Sequence, residues 1–217
     1  PNQALKAGDP LHWTGIEQNW NYQCDWCHST NLQKNYNAGT KSFQTTWSEI
    51  SVGCESCHGP ASRHVAWAAK SGKADQDYGV AKGFALTLDE RRNVMWPMGT
   101  DGQAVRSTPR TSNKELEVCA ACHARRQQFS SAHGDIGRLF DAFRPSHLEA
   151  GHYHPDAQQR AEAFNYGSFA QSKMHAAGVT CSDCHNPHSG KLRESGNAVC
   201  AQCHARDRFD TTAHHHH

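Results

Sequence analysis

One five-residue pattern constrains this chain more than anything else in it. Cys-x-x-Cys-His stands at Cys24/Cys27/His28, Cys54/Cys57/His58, Cys119/Cys122/His123, Cys181/Cys184/His185 and Cys200/Cys203/His204. These five copies use all 10 cysteines. The pattern is the attachment signature of c-type haem. Two thiols add across two vinyl groups of one porphyrin, so they must sit one short turn apart. The next residue then turns its imidazole to the iron. Paired C-x-x-C units also build tetrahedral zinc sites, and ten cysteines can form five disulfides in an exported protein. Neither use explains why every second cysteine is followed by histidine. The expectation is five covalently attached haem c groups, with His28, His58, His123, His185 and His204 as proximal iron ligands. All ten sulfurs are then thioethers, which implies export to the periplasm or the extracellular space, because the attachment happens outside the cytoplasm.

Composition agrees with a chain that needs its cofactors to fold. At 217 residues with 36% hydrophobic content, and a mean hydropathy of -0.81, a conventional core would be thin. Five macrocycles supply the missing apolar surface. The expected fold is therefore mostly α-helix and irregular coil wrapped around a chain of haems, with little β-sheet. We expect one domain over 1–217, with sub-halves 1–113 (motifs one and two) and 114–217 (motifs three to five). The formal charge of +1 omits the haem propionates. With them the charge runs from roughly -4 oxidised to roughly -9 reduced, which bears on partner steering. No basic run with interleaved aromatics suggests nucleic acid, and no apolar stretch is long enough to span a bilayer. No signal peptide precedes the first motif, so a mature or trimmed form is expected.

Between the motifs the chain reads as follows. An aromatic lead-in over 1–23 holds His12, Trp13, Trp20 and Tyr22. Ser62 is a candidate N-cap for a helix that carries His64 in its first turn and stops near Gly72. Phe84–Leu88 and Gln103–Arg106 are expected to pair as one short hairpin across Met98–Gly102. Met95 and Met98 read as packing residues rather than iron ligands. Lys114–Gln128 is expected to be helical through the third motif, with Arg125 and Arg126 facing either haem propionates or solvent. A histidine-rich loop (His133, His147, His152, His154) precedes a helical stretch over Asp156–Ala177. The fourth and fifth motifs start 19 positions apart, so their haems should be neighbours.

Ligand supply then bears on chemistry. The chain has 17 histidines, of which five are proximal and four form the terminal run His214, His215, His216 and His217. The other eight are His12, His64, His133, His147, His152, His154, His175 and His188. Supply exceeds the need, so bis-histidine iron is expected throughout. Such iron has no open position for substrate and moves electrons with little rearrangement, at lower potential than with a methionine ligand.

Several stretches resemble a known group. They are His12–Gly15, Gln18–Asn21, Cys27–Leu32, Thr46–Ile50, Cys57–Pro60, Cys122–Arg126, Tyr166–Phe169, Gln171–Met174 and Gly178–His185. Together they resemble the multihaem c-type cytochromes often fused to tetratricopeptide repeats, within the cytochrome c-554-like superfamily. The resemblance implies His12, His64, His154 and His188 as distal iron ligands. His175 is the fifth, at a place where relatives can carry tyrosine. It also implies that Ala213 and the histidines after it are a native stretch rather than a tag, and that one of those histidines can hold iron. Such relatives carry further haem motifs and a repeat domain, which makes this chain the interior of a longer precursor or a processed form.

The functional expectation is an exported pentahaem electron carrier rather than a catalyst. Its partners would be other redox proteins, or copies of itself stacked into a conducting filament. The alternative is a multihaem oxidoreductase with one open-site haem that acts on a small nitrogen or sulfur compound. Its acid/base group would be His133, His147 or His152.

Overall fold

The computed structural model describes residues 4–70, 81–130, 138–146 and 148–215, without the side chain of His215. His133, His147, His216, His217 and the expected helix stop at Gly72 lie outside the described residues. Among the described residues, ten short α-helices punctuate long stretches of coil. They are α1 (Trp20–Gln23), α2 (Glu55–His58), α3 (Ser62–Ala69), α4 (Lys114–His123), α5 (Phe164–Ala170), α6 (Lys173–Ala176), α7 (Cys181–Cys184), α8 (Ala198–Ala201), α9 (Arg206–Phe209) and α10 (Thr212–His215). The strands are two or three residues long: β1 (Tyr36–Asn37), β2 (Ser42–Phe43), β3 (Arg126–Gln128), β4 (Phe143–Pro145), β5 (His185–Asn186) and β6 (Lys191–Leu192). They form three two-stranded ribbons, with Tyr36 opposite Phe43 and His185 opposite Leu192. The mostly helix-and-coil fold is as expected. None of the described helices is long and apolar enough to cross a membrane.

The chain groups into two compact units. One holds 1–87 and 128–144; the other holds 88–127 and 145–217. In the first, Leu32, Leu139, Ala142 and Phe143 are buried, and the Trp26 indole meets the Phe143 ring edge-on at 5.0 Å. In the second, Leu116, Val118, Ala120, Tyr153, Ala163 and Val179 are buried. Both cores are small. Large apolar side chains stay outside them, with Trp13 78% and Met95 70% exposed. A chain this polar cannot cover its own aromatics.

Local chemistry moves several expected boundaries. Helix α3 starts at Ser62 rather than being capped by it. Ala61 is the cap residue, and its N–H donates to Glu55 Oε1 at 2.7 Å, so a carboxylate from α2 does the capping. Helix α4 stops at His123, where Ala124 turns extended and the chain enters β3. The expected helix over Asp156–Ala177 is reduced to α5 and α6. Gly167 sits inside α5 rather than breaking it. A Cβ there would fall inside the radius of Tyr153 Oη and 3.1 Å from Cζ, so glycine admits the buried tyrosine. The expected hairpin changes partner. Gln103–Ser107 folds back on Met95–Gly99 through bonds such as Gly99 N–H to Gln103 O at 2.8 Å and Val105 N–H to Pro97 O at 2.9 Å. Phe84–Leu88 instead runs beside the second motif, where Leu86 N–H donates to His58 O at 3.1 Å.

Candidate functional site

Each Cys-x-x-Cys-His copy folds as one helical turn. The histidine amide donates to the carbonyl of the lead cysteine: His28 to Cys24 at 3.1 Å, His58 to Cys54 at 3.0 Å, and His204 to Cys200 at 3.0 Å. His185 makes the same bond to Cys181 as it leaves α7, and the third copy lies wholly within α4. One turn puts residues i and i+3 on one face, with i+4 beside them. Two thiols and an imidazole are thereby offered in the order that a porphyrin needs. None of the ten cysteines forms a disulfide. Burial pushes the thiols of Cys57, Cys184 and Cys203 up. Among the described residues no three His, Cys, Asp or Glu converge as a metal-ion site requires. Neither a zinc cluster nor a disulfide framework is built there.

The hydrogen bonds made by each imidazole decide which nitrogen it can present. A carbonyl oxygen only accepts, so a ring nitrogen facing one must carry the proton. His58 Nδ1 faces Leu86 O at 3.1 Å and His64 Nδ1 faces Lys82 O at 2.9 Å. Both rings therefore hold their lone pair on Nε2, the nitrogen a proximal or distal iron would take. This tautomer, with thiols that form no disulfide and the exposed aromatics, fits covalent haem.

The other distal candidates are held differently. His12 Nδ1 accepts from Thr14 N–H at 3.2 Å and pairs with Thr14 Oγ1 at 2.8 Å. His175 Nε2 accepts from Arg110 Nη2 at 2.8 Å, while a backbone bond to Ala170 engages the ring as well. Burial first, and the Arg110 charge second, depress its pKa. His154 is exposed in a turn where its own N–H donates to Gln158 O at 2.8 Å. His188 is exposed after β5, with its amide on Asn186 Oδ1 at 3.1 Å. His152 Nδ1 lies 3.2 Å from Glu149 Oε1. In the terminal run, the His214 ring packs edge-on against Phe209 at 5.0 Å, and Phe209 packs on His204 at the same distance.

Within the second unit, motifs three, four and five neighbour one another in chain order. The Cys119 thiol hydrogen-bonds to Cys181, which holds the Cys181 thiol below its usual value. Glu115, one turn before Cys119, accepts from Ser182 N–H and from Ser182 Oγ at 2.9 Å, so α4 holds the start of α7. Segment 88–110 then anchors these turns. Asp183, buried inside the fourth motif, takes Arg91 Nε and Trp96 Nε1, each at 3.3 Å. Ala104 N–H donates to Cys203 O at 2.7 Å, and Ala205 N–H to Gly102 O at 2.9 Å. Sequence reading expected no more than a short hairpin in this stretch and missed these roles. The available signal was the acid inside C-S-D-C together with the arginines and tryptophan of Arg91–Trp96. Arg125 and Arg126 donate to the backbone carbonyls of Glu162 (3.0 Å) and Ala121, which is a structural use of both.

Repeated attachment turns on short helices and coil define a class: a c-type haem protein with several attachment points. A family model described as cytochrome c554 and c-prime matches residues 6–59, which hold motifs one and two. A model of the doubled CXXCH motif matches residues 174–209, which hold motifs four and five. No curated protein and no solved structure matched the chain. The matches identify a multihaem electron-transfer cytochrome of the c type, with haem iron as its redox centre.

Proposed function

We propose that the chain carries five haem c groups and passes electrons between them, each iron having two histidine ligands. The observation that supports this reading is the repeated turn: every motif, including the third, folds as one helical turn from its lead cysteine to its histidine. The Glu115 bonds from α4 to Ser182, inside the fourth motif, support neighbouring third and fourth haems. His64 has the ligand tautomer of a distal residue. His12, His154, His175 and His188 complete the proposed set, with His12 reaching iron once its Nδ1 releases Thr14 N–H and His175 once Arg110 lets go. The protein works outside the cytoplasm, where the thioether bonds are made. It exchanges electrons with other redox proteins or with further copies of itself in an end-to-end filament.

A second reading is favoured by one observation. Arg110 occupies the His175 lone pair, which would leave one iron five-coordinate and open to a small nitrogen or sulfur compound. Electron paramagnetic resonance of the oxidised protein, with carbon monoxide added to the reduced form, separates the two. Low-spin iron throughout and no reaction with carbon monoxide support the carrier. About one high-spin haem in five, reactive toward carbon monoxide, refutes it in favour of the open-site enzyme.

A further inference from the structure

The stretch Lys82–Leu86 lies between two imidazoles and touches both in the same way. Lys82 O accepts from His64 Nδ1 at 2.9 Å, and Leu86 O accepts from His58 Nδ1 at 3.1 Å. Between those carbonyls, the Phe84 ring stacks on His64 at 3.9 Å and 17°, and lies tilted 4.9 Å from His58. The stretch is tied to each histidine independently. At one end Leu86 N–H donates back to His58 O, so residues 58 and 86 exchange two bonds. At the other, consecutive left-handed residues, Lys82 at φ +50° and Gly83 at φ +79°, turn the chain against the start of α3. A Cβ at Gly83 would lie 2.6 Å from Arg63 O and 2.8 Å from His64 N. The Lys82 ammonium rests over the Trp67 ring at 5.4 Å, from the next turn of the same helix.

We propose that Lys82–Leu86 is a shared positioning element, which fixes ring orientation and raises the donor strength of His58 and His64 together. The inference rests on the haem reading given above and goes beyond it, because it assigns to one backbone stretch the tuning of two iron ligands. The physical basis is the Nδ1–H···O=C bond. It locks the tautomer, stops ring rotation and pushes electron density toward Nε2, which favours the ferric state. Phe84 limits the rotation of His64 further. Because both carbonyls belong to one five-residue stretch, a displacement at Gly83 reaches both ligands. Gly83, Lys82 and Leu86 act through the histidines and are positioning residues rather than ligands.

The test uses the haem-loaded protein labelled with ¹⁵N-histidine. In the reduced, diamagnetic state, nuclear magnetic resonance should show slowly exchanging Nδ1–H protons for His58 and His64. In Gly83→Ala both should lose protection together. The potentials of the haems they serve should rise, with haem content unchanged and the remaining haems unmoved. Solvent-rate exchange of these two protons in the wild-type protein would overturn the inference, whether or not the variant folds. Loss of protection at one histidine alone would also overturn it, because the element would not be shared. Intact haem content with rapid exchange would sink only this inference. Absence of covalent haem by mass spectrometry would remove the haem reading and this inference with it.

Discussion

Glu115 joins the third and fourth attachment turns, and its removal has a worked cost. The side chain is 5% exposed and accepts from both Ser182 N–H and Ser182 Oγ. Glu115→Ala leaves the Ser182 N–H without its acceptor, whereas Ser182 Oγ keeps the Thr180 hydroxyl at 3.3 Å. A stranded donor costs about 1–3 kcal/mol, so a loss of about 1–3 kcal/mol is expected at neutral pH. Glu115→Gln keeps one acceptor oxygen and removes repulsion from Glu90, whose Oε2 takes the Glu115 N–H at 3.0 Å. Its loss should be about 1–2 kcal/mol. Acidity gives the sign of a second test. Burial, the largest cause, raises the Glu115 pKa above its ordinary 4.5; the Ser182 bonds oppose that and the Glu90 charge adds to it. A raised folded pKa means stability that is fully present below the unfolded value and lost as pH rises through the folded one. Wild type therefore gains on Glu115→Gln as pH falls toward 4.5. Denaturant unfolding followed by circular dichroism, at neutral pH and near pH 4.5, measures both effects. A Glu115→Ala loss under about 1 kcal/mol, or a Glu115→Gln penalty that shrinks in acid, would refute the reasoning.

Three further outcomes are expected. Gly167→Ala gains about 0.5–1 kcal/mol of helix propensity in α5 but overpacks Tyr153, at about 1–3 kcal/mol, so a net loss is expected; Tyr153→Phe in the same background should recover part of it in a double-mutant cycle. Replacing Cys54 and Cys57 together by alanine should lower the haem-to-protein ratio by one fifth in a pyridine haemochrome assay, and an unchanged ratio would deny attachment at that turn. The haem-free chain should show no cooperative thermal transition by calorimetry, since burial of apolar surface in the two small cores cannot offset chain entropy on its own.

The fold class and the attachment turns were legible because both rest on local rules. Cys-x-x-Cys-His states its own spacing, and scarce aliphatics exclude a large conventional core. Residues set by distant partners were not legible. Ser62 reads as a cap until Glu55 reaches Ala61 N–H. Phe84–Leu88 reads as strand by its side chains, yet its backbone bonds go to the second motif, 28 positions away, through His58 and Leu86. Glu115 and Ser182 are 67 positions apart, and no periodicity joins them. Ring tautomers are further still from sequence. His12 and His64 are the same residue type with the same suggested role, and only their partners, Thr14 N–H and Lys82 O, separate acceptor from donor at Nδ1.

The placement of acids follows from the shortness of the helices. A four-residue helix such as α2 or α7 makes too few bonds to offset its own nucleation, so it stands only where tertiary partners hold it. At the first and fourth motifs three buried carboxylates take part in this. Asp25, within the first motif, accepts from Trp26 N–H at 2.7 Å and lies 3.4 Å from Lys34 Nζ. Asp183, within the fourth, accepts from Thr180 N–H at 2.8 Å while holding Arg91. Glu115 holds that same fourth turn from the third. A carboxylate can satisfy several backbone donors at a helix start, where the dipole also favours negative charge. Apolar packing could not fix these turns in the same way, because the surface beside the thiols and imidazoles must remain available to the porphyrin. Polar anchoring beneath the turn and apolar surface above it are thus two sides of one constraint, imposed by attaching a large flat group to a chain with few aliphatic residues.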